Sequence, residues 1–223
     1  MRILAIETSS PRGSVTLTDG VTLVASSEHR QPSAHAELML PLIGRTLAQA
    51  GWARSTIDRI AVGTGPGSFV GLRVGIALSE GLSLGLGRPV VGVESLSAML
   101  WAAAQTHAGP RAALLDARRG EVFCQAEDAQ GAPLLEACAL PLDAVAARLS
   151  AFGAELALAG EIVAQLGLPQ KWLRGEQLDL PHAYAVAMLA SSRPVDDSGV
   201  SAHYVRDPGA TRPNLPPSPL APR

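Results

Sequence analysis

From the N-terminus the apolar positions come in short blocks broken by Gly, Pro and Ser, a spacing that suits strands. Ile3, Leu4 and Ile6 give a mostly apolar first strand. Residues 14–18 alternate, Asp19-Gly20 is a two-residue hairpin signal, and 21–25 returns, so the opening reads as a meander. The period then changes. Residues 33–50 read as a helix with Ser33 as N-cap. Leu38, Met39, Leu40, Leu42, Ile43 and Leu47 are too many for one face, which predicts burial on two sides, and Pro41 predicts a kink.

A strand at 57–62, a glycine loop at 63–69, a helix at 70–86 and a strand at 89–93 make a right-handed crossover, followed by a helix at 95–106. Gly109-Pro110 is a boundary signal, and after it the pattern restarts. Strands are expected at 111–116, 121–126 and 155–159, with turns at 117–120 and 130–133. Helices are expected within 142–152 and 161–166, and over about 182–190. Strand–turn–strand openings in both halves point to a duplicated α/β fold with mixed sheets flanked by helices. Residues 203–206 read as a plain chain end, with an anchored Tyr204 and an Arg206 reaching a carboxylate as the alternative. The Pro-rich tail from 207 to 223 is expected to be disordered or extended.

Within the 70–86 helix small residues recur at every fourth position: Gly67, Gly71, Gly75, Ser79, Ser83 and Gly87. Glycine inside a helix costs about 1 kcal/mol against alanine, so Gly71, Gly75, Gly81 and Gly85 together cost about 4 kcal/mol. A bare ridge lets a second backbone come close, and that contact has to offset the cost.

Composition narrows the function classes. A net charge of −2 and a pI near 6.2 give no basic field for capturing nucleic acid unaided. Cys124 and Cys138 form no C-x-x-C, so neither a disulfide framework nor a zinc site is expected. The start is too short an apolar run for a signal peptide, and no run is expected to reach membrane-span length. These features predict a cytoplasmic protein.

The candidate chemistry is thin. Glu7-Thr8-Ser9-Ser10-Pro11-Arg12-Gly13 is a polar elbow that either grips a phosphate or its metal ion, or is a tight turn. Gly65, Gly67 and Gly71, with Glu94 closing the next strand, come close to a dinucleotide fingerprint. The late third glycine, the earlier strands and Pro66 all count against it. Arg73 can hold an anion at the first helical turn, or be solvated or paired at an interface. His35 and Glu37 form an isolated H-x-E that favours a surface or packing role over metal binding. Asp116, in the charged knot LLDARRGEVF, is a strand-end base or metal ligand, or simply part of a charged turn. Nothing assembles a catalytic set.

The segments AIETSS (5–10), HAELMLPLIGRTL (35–47), GTGPGSFVGLRVGIALSEGLSLG (63–85), PVVGVESLSAM (89–99), LLDARRGEVF (114–123) and YVRD (204–207) resemble the TsaB family, also called YeaZ. The resemblance implies a two-lobed ASKHA fold, related to actin, hexokinase and ribonuclease H. The lobes are expected at 1–108 and 109–206. It implies a non-catalytic dimerisation subunit in threonylcarbamoyladenosine synthesis on tRNA. The expected partners are a TsaD-like transferase, a TsaE-like ATPase and, through the complex, tRNA; no cofactor is implied. Where TsaD-like proteins place two metal-binding histidines this chain has Ser95 and Met99, so no catalytic metal is expected. The implied pairing surface takes His35, Leu38, Leu42, Gly67, Phe69, Gly71, Arg73, Val74, Gly75 and Leu78. On that basis Gly75→Leu would block assembly and leave the monomer folded. Two alternatives stand beside this: an ASKHA phosphotransferase or ATPase using Glu7, Thr8 and Asp116 around Mg-ATP, and a stand-alone homodimer.

Overall fold

The computed structural model describes residues 1–196 and 199–206; the tail expected from 207 lies outside the described residues. Two five-stranded mixed sheets organise the chain. The first has β1 (Arg2–Glu7), β2 (Gly13–Asp19), β3 (Thr22–His29), β4 (Arg59–Gly65) and β5 (Val90–Glu94), in the order β3-β2-β1-β4-β5. The second has β6 (Arg111–Arg118), β7 (Glu121–Glu127), β8 (Pro133–Pro141), β9 (Ala157–Ala159) and β10 (Lys171–Leu173), in the order β10-β9-β6-β7-β8. In each sheet the first strand has an antiparallel meander on one side and a parallel pair on the other. The duplication faint in the sequence is plain in the topology.

β1 is apolar without alternation because both its faces are covered. Leu4 and Ile6 pack with Met39, Leu42, Ile43 and Leu47 of α1 (His35–Ala50) and Ile76 of α2 (Phe69–Leu86). Ile3 and Ala5 pack with Ala98 of α3 (Ser95–Ala104) and with Ala183, Val186, Ala187 and Ala190 of α7 (Ala183–Ser192). The small residues of α7 let it lie close on the sheet. It follows all the strands of the second sheet, yet it covers the first.

Several local expectations change. Ser33 is not the cap of α1: it sits in a 3-10 turn over Pro32–Ala34, and Ala34 occupies the N-cap position without a side-chain bond. β8 was not expected, because it is a half-buried edge strand rich in Leu and Ala. α2 is capped by Ser68, whose Oγ accepts from the Gly71 N–H at 3.2 Å, and it ends on Gly87 at φ 62°. By length and composition α2 also meets the measure of a membrane-crossing helix, with a mean hydropathy of 1.4, which the sequence was not expected to reach. Gly71, Leu72, Gly75, Ile76 and Ser79 seat one side of it inside the protein. The remaining helices are α4 (Leu142–Ser150), α5 (Val163–Leu166) and α6 (Glu176–Asp179).

Candidate functional site

The polar elbow is closed from within. The Glu7 carboxylate is fully buried, accepts from the Ser9 N–H at 2.6 Å and from the Ser95 hydroxyl at 3.0 Å, and lies against Gly63, where any side chain would overlap it. Burial raises its pKa above the usual carboxylate range, against the pull of these hydrogen bonds and of Arg12. The Thr8 hydroxyl donates to the Gly71 carbonyl at 2.8 Å. Ser95 therefore positions Glu7, and Met99 is core packing beside Leu96 and Leu100.

Arg12 was expected only as part of a turn, but it is a principal pin of the structure. Its buried guanidinium donates to the carbonyls of Glu176, Leu180 and Pro181, and stands 3.6 Å from Glu28. Ligand atoms of Glu28, Glu176 and His182 lie within 4.8 Å of one another, the reach of a metal site. The adjacent Arg12 cation opposes that use. His182 caps α7 by accepting from the Tyr184 N–H at 3.1 Å through Nδ1, which requires a neutral ring. Burial, then Arg12, pushes its pKa down to about 4.

A pH dependence follows from this histidine. Its contribution is fully present above the ordinary value of 6.5 and is lost as pH falls toward about 4, because the unfolded chain takes up the proton first. The loss is at most about 3 kcal/mol. His29 and His35, also lowered chiefly by burial, act in the same direction; Glu7, raised, acts in the opposite one. Urea midpoints are expected to drop between neutral pH and about pH 5, and His182→Asn, which keeps a cap, should flatten the slope. An unchanged slope in that variant would refute the assignment.

The candidates singled out along the sequence do not meet in one place. Asp116 lines a cleft of about 620 Å³ between the second sheet and the start of α2, while Glu7 and Thr8 are closed off from it. The Asp116 carboxylate accepts from the Arg118 N–H at 2.7 Å and pairs with its guanidinium at 3.0 Å, both contacts made within the β6–β7 connection. Glu94 is engaged by Arg193 at 2.5 Å rather than free for a ribose. His35 is buried, with Nε2 on the Ser10 carbonyl at 3.0 Å and Nδ1 at 3.3 Å from His29. Arg206 bonds Glu121 and the His203 N–H donates to Thr64, so residues 203–206 are anchored.

The bare ridge of α2 is filled by the chain itself. A methyl group on Gly71 would overlap the Thr8 carbonyl oxygen, one on Gly75 the Thr8 hydroxyl, and one on Gly67 the Ser9 carbonyl. Leu42 is core. Phe69 and Arg73 are exposed, with the guanidinium 3.8 Å from the ring centre, while Leu38, Val74 and Leu78 are half-buried. What α2 presents outward is a second stripe, of which the sequence names only Val74 for pairing: Val70, Val74, Ala77, Gly81 and Leu84. Its spacing of four and three is that of a helix-pairing seam. Val70 is 69% and Leu84 88% exposed, and Gly81 and Gly85 face open space.

The family model described as TsaD, tRNA N6-adenosine threonylcarbamoyltransferase, matches residues 22–185, well over half the chain. The TsaB protein of Escherichia coli is 40% identical over 55% of this chain and 53% of its own length. The TsaB protein of Bacillus subtilis is 31% identical over 55% and 53%. The chain thus spans about half the length of the curated relatives it matches. A solved Pseudomonas aeruginosa protein described as similar to peptidase YEAZ is 29% identical, covers 92% of this chain and 99% of its own, and has a TM-score of 0.77. An activator of 2-hydroxyisocaproyl-CoA dehydratase from Clostridium difficile shares the fold alone, at 11% identity and a TM-score of 0.53. With its two like sheets in an ASKHA-type arrangement, the chain belongs to this threonylcarbamoyltransferase-related family, among its TsaB/YeaZ members.

Proposed function

We propose that this chain is a non-catalytic pairing subunit in the synthesis of threonylcarbamoyladenosine on tRNA, docking through α2 onto a TsaD-like transferase and working with a TsaE-like ATPase. The observation that carries this is the exposed Val70–Val74–Ala77–Gly81–Leu84 stripe, an apolar seam on a helix whose other side is already committed to the sheet. The small residues at its centre allow a partner helix to approach closely. The elbow supports the same reading, since Glu7, the one buried carboxylate at a strand end of the first sheet, is held inside and not offered to a substrate.

Val70→Asp combined with Leu84→Asp is expected to weaken pairing with the TsaD-like subunit at least tenfold, by placing two charges in a desolvated seam. The urea midpoint should stay within error, because both side chains are exposed in the single chain. Co-elution measures the first effect, and a tRNA modification assay omitting each subunit in turn measures the role. Undiminished co-elution of the double variant would overturn the docking surface. Turnover of Mg-ATP by the isolated chain would favour the phosphotransferase reading.

A further inference from the structure

The pairing seam meets the cleft only at Val70, and the two walls of the cleft carry a pairing of chemistries that the fold does not require. On one wall is the turn between β6 and β7. Arg118 and Arg119 both lie at positive φ, 62° and 55°, where Asn-Gly would be unstrained. Arg118 is partnered by Asp116, whereas Arg119 has no ion-pair partner among the described residues. On the other wall the Phe69 and Tyr204 rings lie 5.6 Å apart, 40% and 43% exposed.

Resting on the tRNA-linked reading above, we propose that this cleft holds a single-stranded RNA segment, with phosphates on the Arg118-Arg119 turn and a base stacked on the Tyr204–Phe69 wall. Guanidinium groups beside exposed aromatic rings are what unpaired RNA engages, since every base offers a stacking face and every linkage a phosphate. A free nucleotide polyphosphate fits less well. The Ser10 hydroxyl is engaged with the Arg12 N–H and the Ser68 N–H with the Ser9 carbonyl, so neither donor is free to grip a phosphate chain. With a net charge of −2 the chain has no long-range field, so the contact is local and involves few phosphates.

The test is fluorescence anisotropy of a labelled single-stranded RNA of about 12 nucleotides with the full-length chain, from about 50 to 200 mM salt. Arg118→Ala with Arg119→Ala is expected to weaken binding roughly tenfold and to reduce the salt slope by about 1.4, or about 0.7 for each phosphate no longer neutralised. Tyr204→Ala should weaken it roughly tenfold with the slope unchanged. Arg119→Lys should retain most of the slope. Arg45→Glu, on the exposed side of α1 and outside the cleft, should bind as the parent does.

Four results overturn the proposal: no RNA retained at the lowest salt, equal binding of a duplex of the same sequence, binding of ATP or inorganic phosphate only, or an arginine variant that binds like the parent. Co-elution with the TsaD-like subunit is measured in parallel. A parent chain that pairs but does not bind RNA overturns this inference alone. One that binds RNA but does not pair supports it and overturns the pairing role.

Discussion

Gly75→Leu is expected to cost the fold about 3 kcal/mol or more and to lower the urea midpoint sharply, rather than to leave a folded monomer unable to pair. The first added carbon already overlaps the Thr8 hydroxyl, and that hydroxyl cannot retreat because it is bonded to the Gly71 carbonyl. Overpacking a buried contact costs about 1–3 kcal/mol for modest insertions, and three further carbons have no room beside Val62. Against a typical total of about 5–15 kcal/mol, the variant is near the edge of folding. Gly81→Ala is the control. Nothing lies within 4 Å of an added carbon there, so the helical preference for alanine should raise stability by about 1 kcal/mol. Equal midpoints for parent and Gly75→Leu would refute the internal role of the ridge.

Arg12→Ala is expected to be at least as damaging, by about 3–5 kcal/mol. It strips the carbonyls of Glu176, Leu180 and Pro181 of their buried donor and leaves a void where a wholly buried side chain stood. It also removes the guanidinium that helps hold the His182 pKa down, so in any variant that still folds the acid loss of stability should be smaller and be complete at a higher pH. Arg12→Lys keeps the charge but cannot donate to three carbonyls from one planar fork, so it should recover only part of the loss. Denaturation followed by tryptophan fluorescence reads both. A stability loss below about 1 kcal/mol for Arg12→Ala would show that the pin is dispensable.

Much of the fold was legible because its signals are local. The unalternating β1, the Asp19-Gly20 hairpin and the loop leading into α2 each announce themselves within a few residues. β8 did not, because an edge strand half in water needs no strong pattern. The ridge of α2 was visible as a ridge, but its occupant is Thr8, more than sixty positions earlier, and only the β1–β4 pairing brings the two together. Arg12 looked like a turn residue for the same reason: its partners lie at the far end of the chain. The outward stripe of α2 was legible in principle. The glycines at 71 and 75 mark the side of the helix that lies on Thr8.

The Arg12 contact spans 164 positions, and α7, which covers Ile3 and Ala5, ends at Ser192. Once made, β1 therefore waits until α7 has been made before its second face is covered and its elbow is pinned. During synthesis the first sheet is exposed on one side while residues 95–192 are made, about 5–20 s at about 5–20 residues per second. Nascent chains of this protein should accordingly depend on chaperone cover late in translation, and rare codons between the second sheet and α7 would lengthen that dependence. The order in which the parts are made, and not only their final packing, thus sets how much of the chain reaches the folded state.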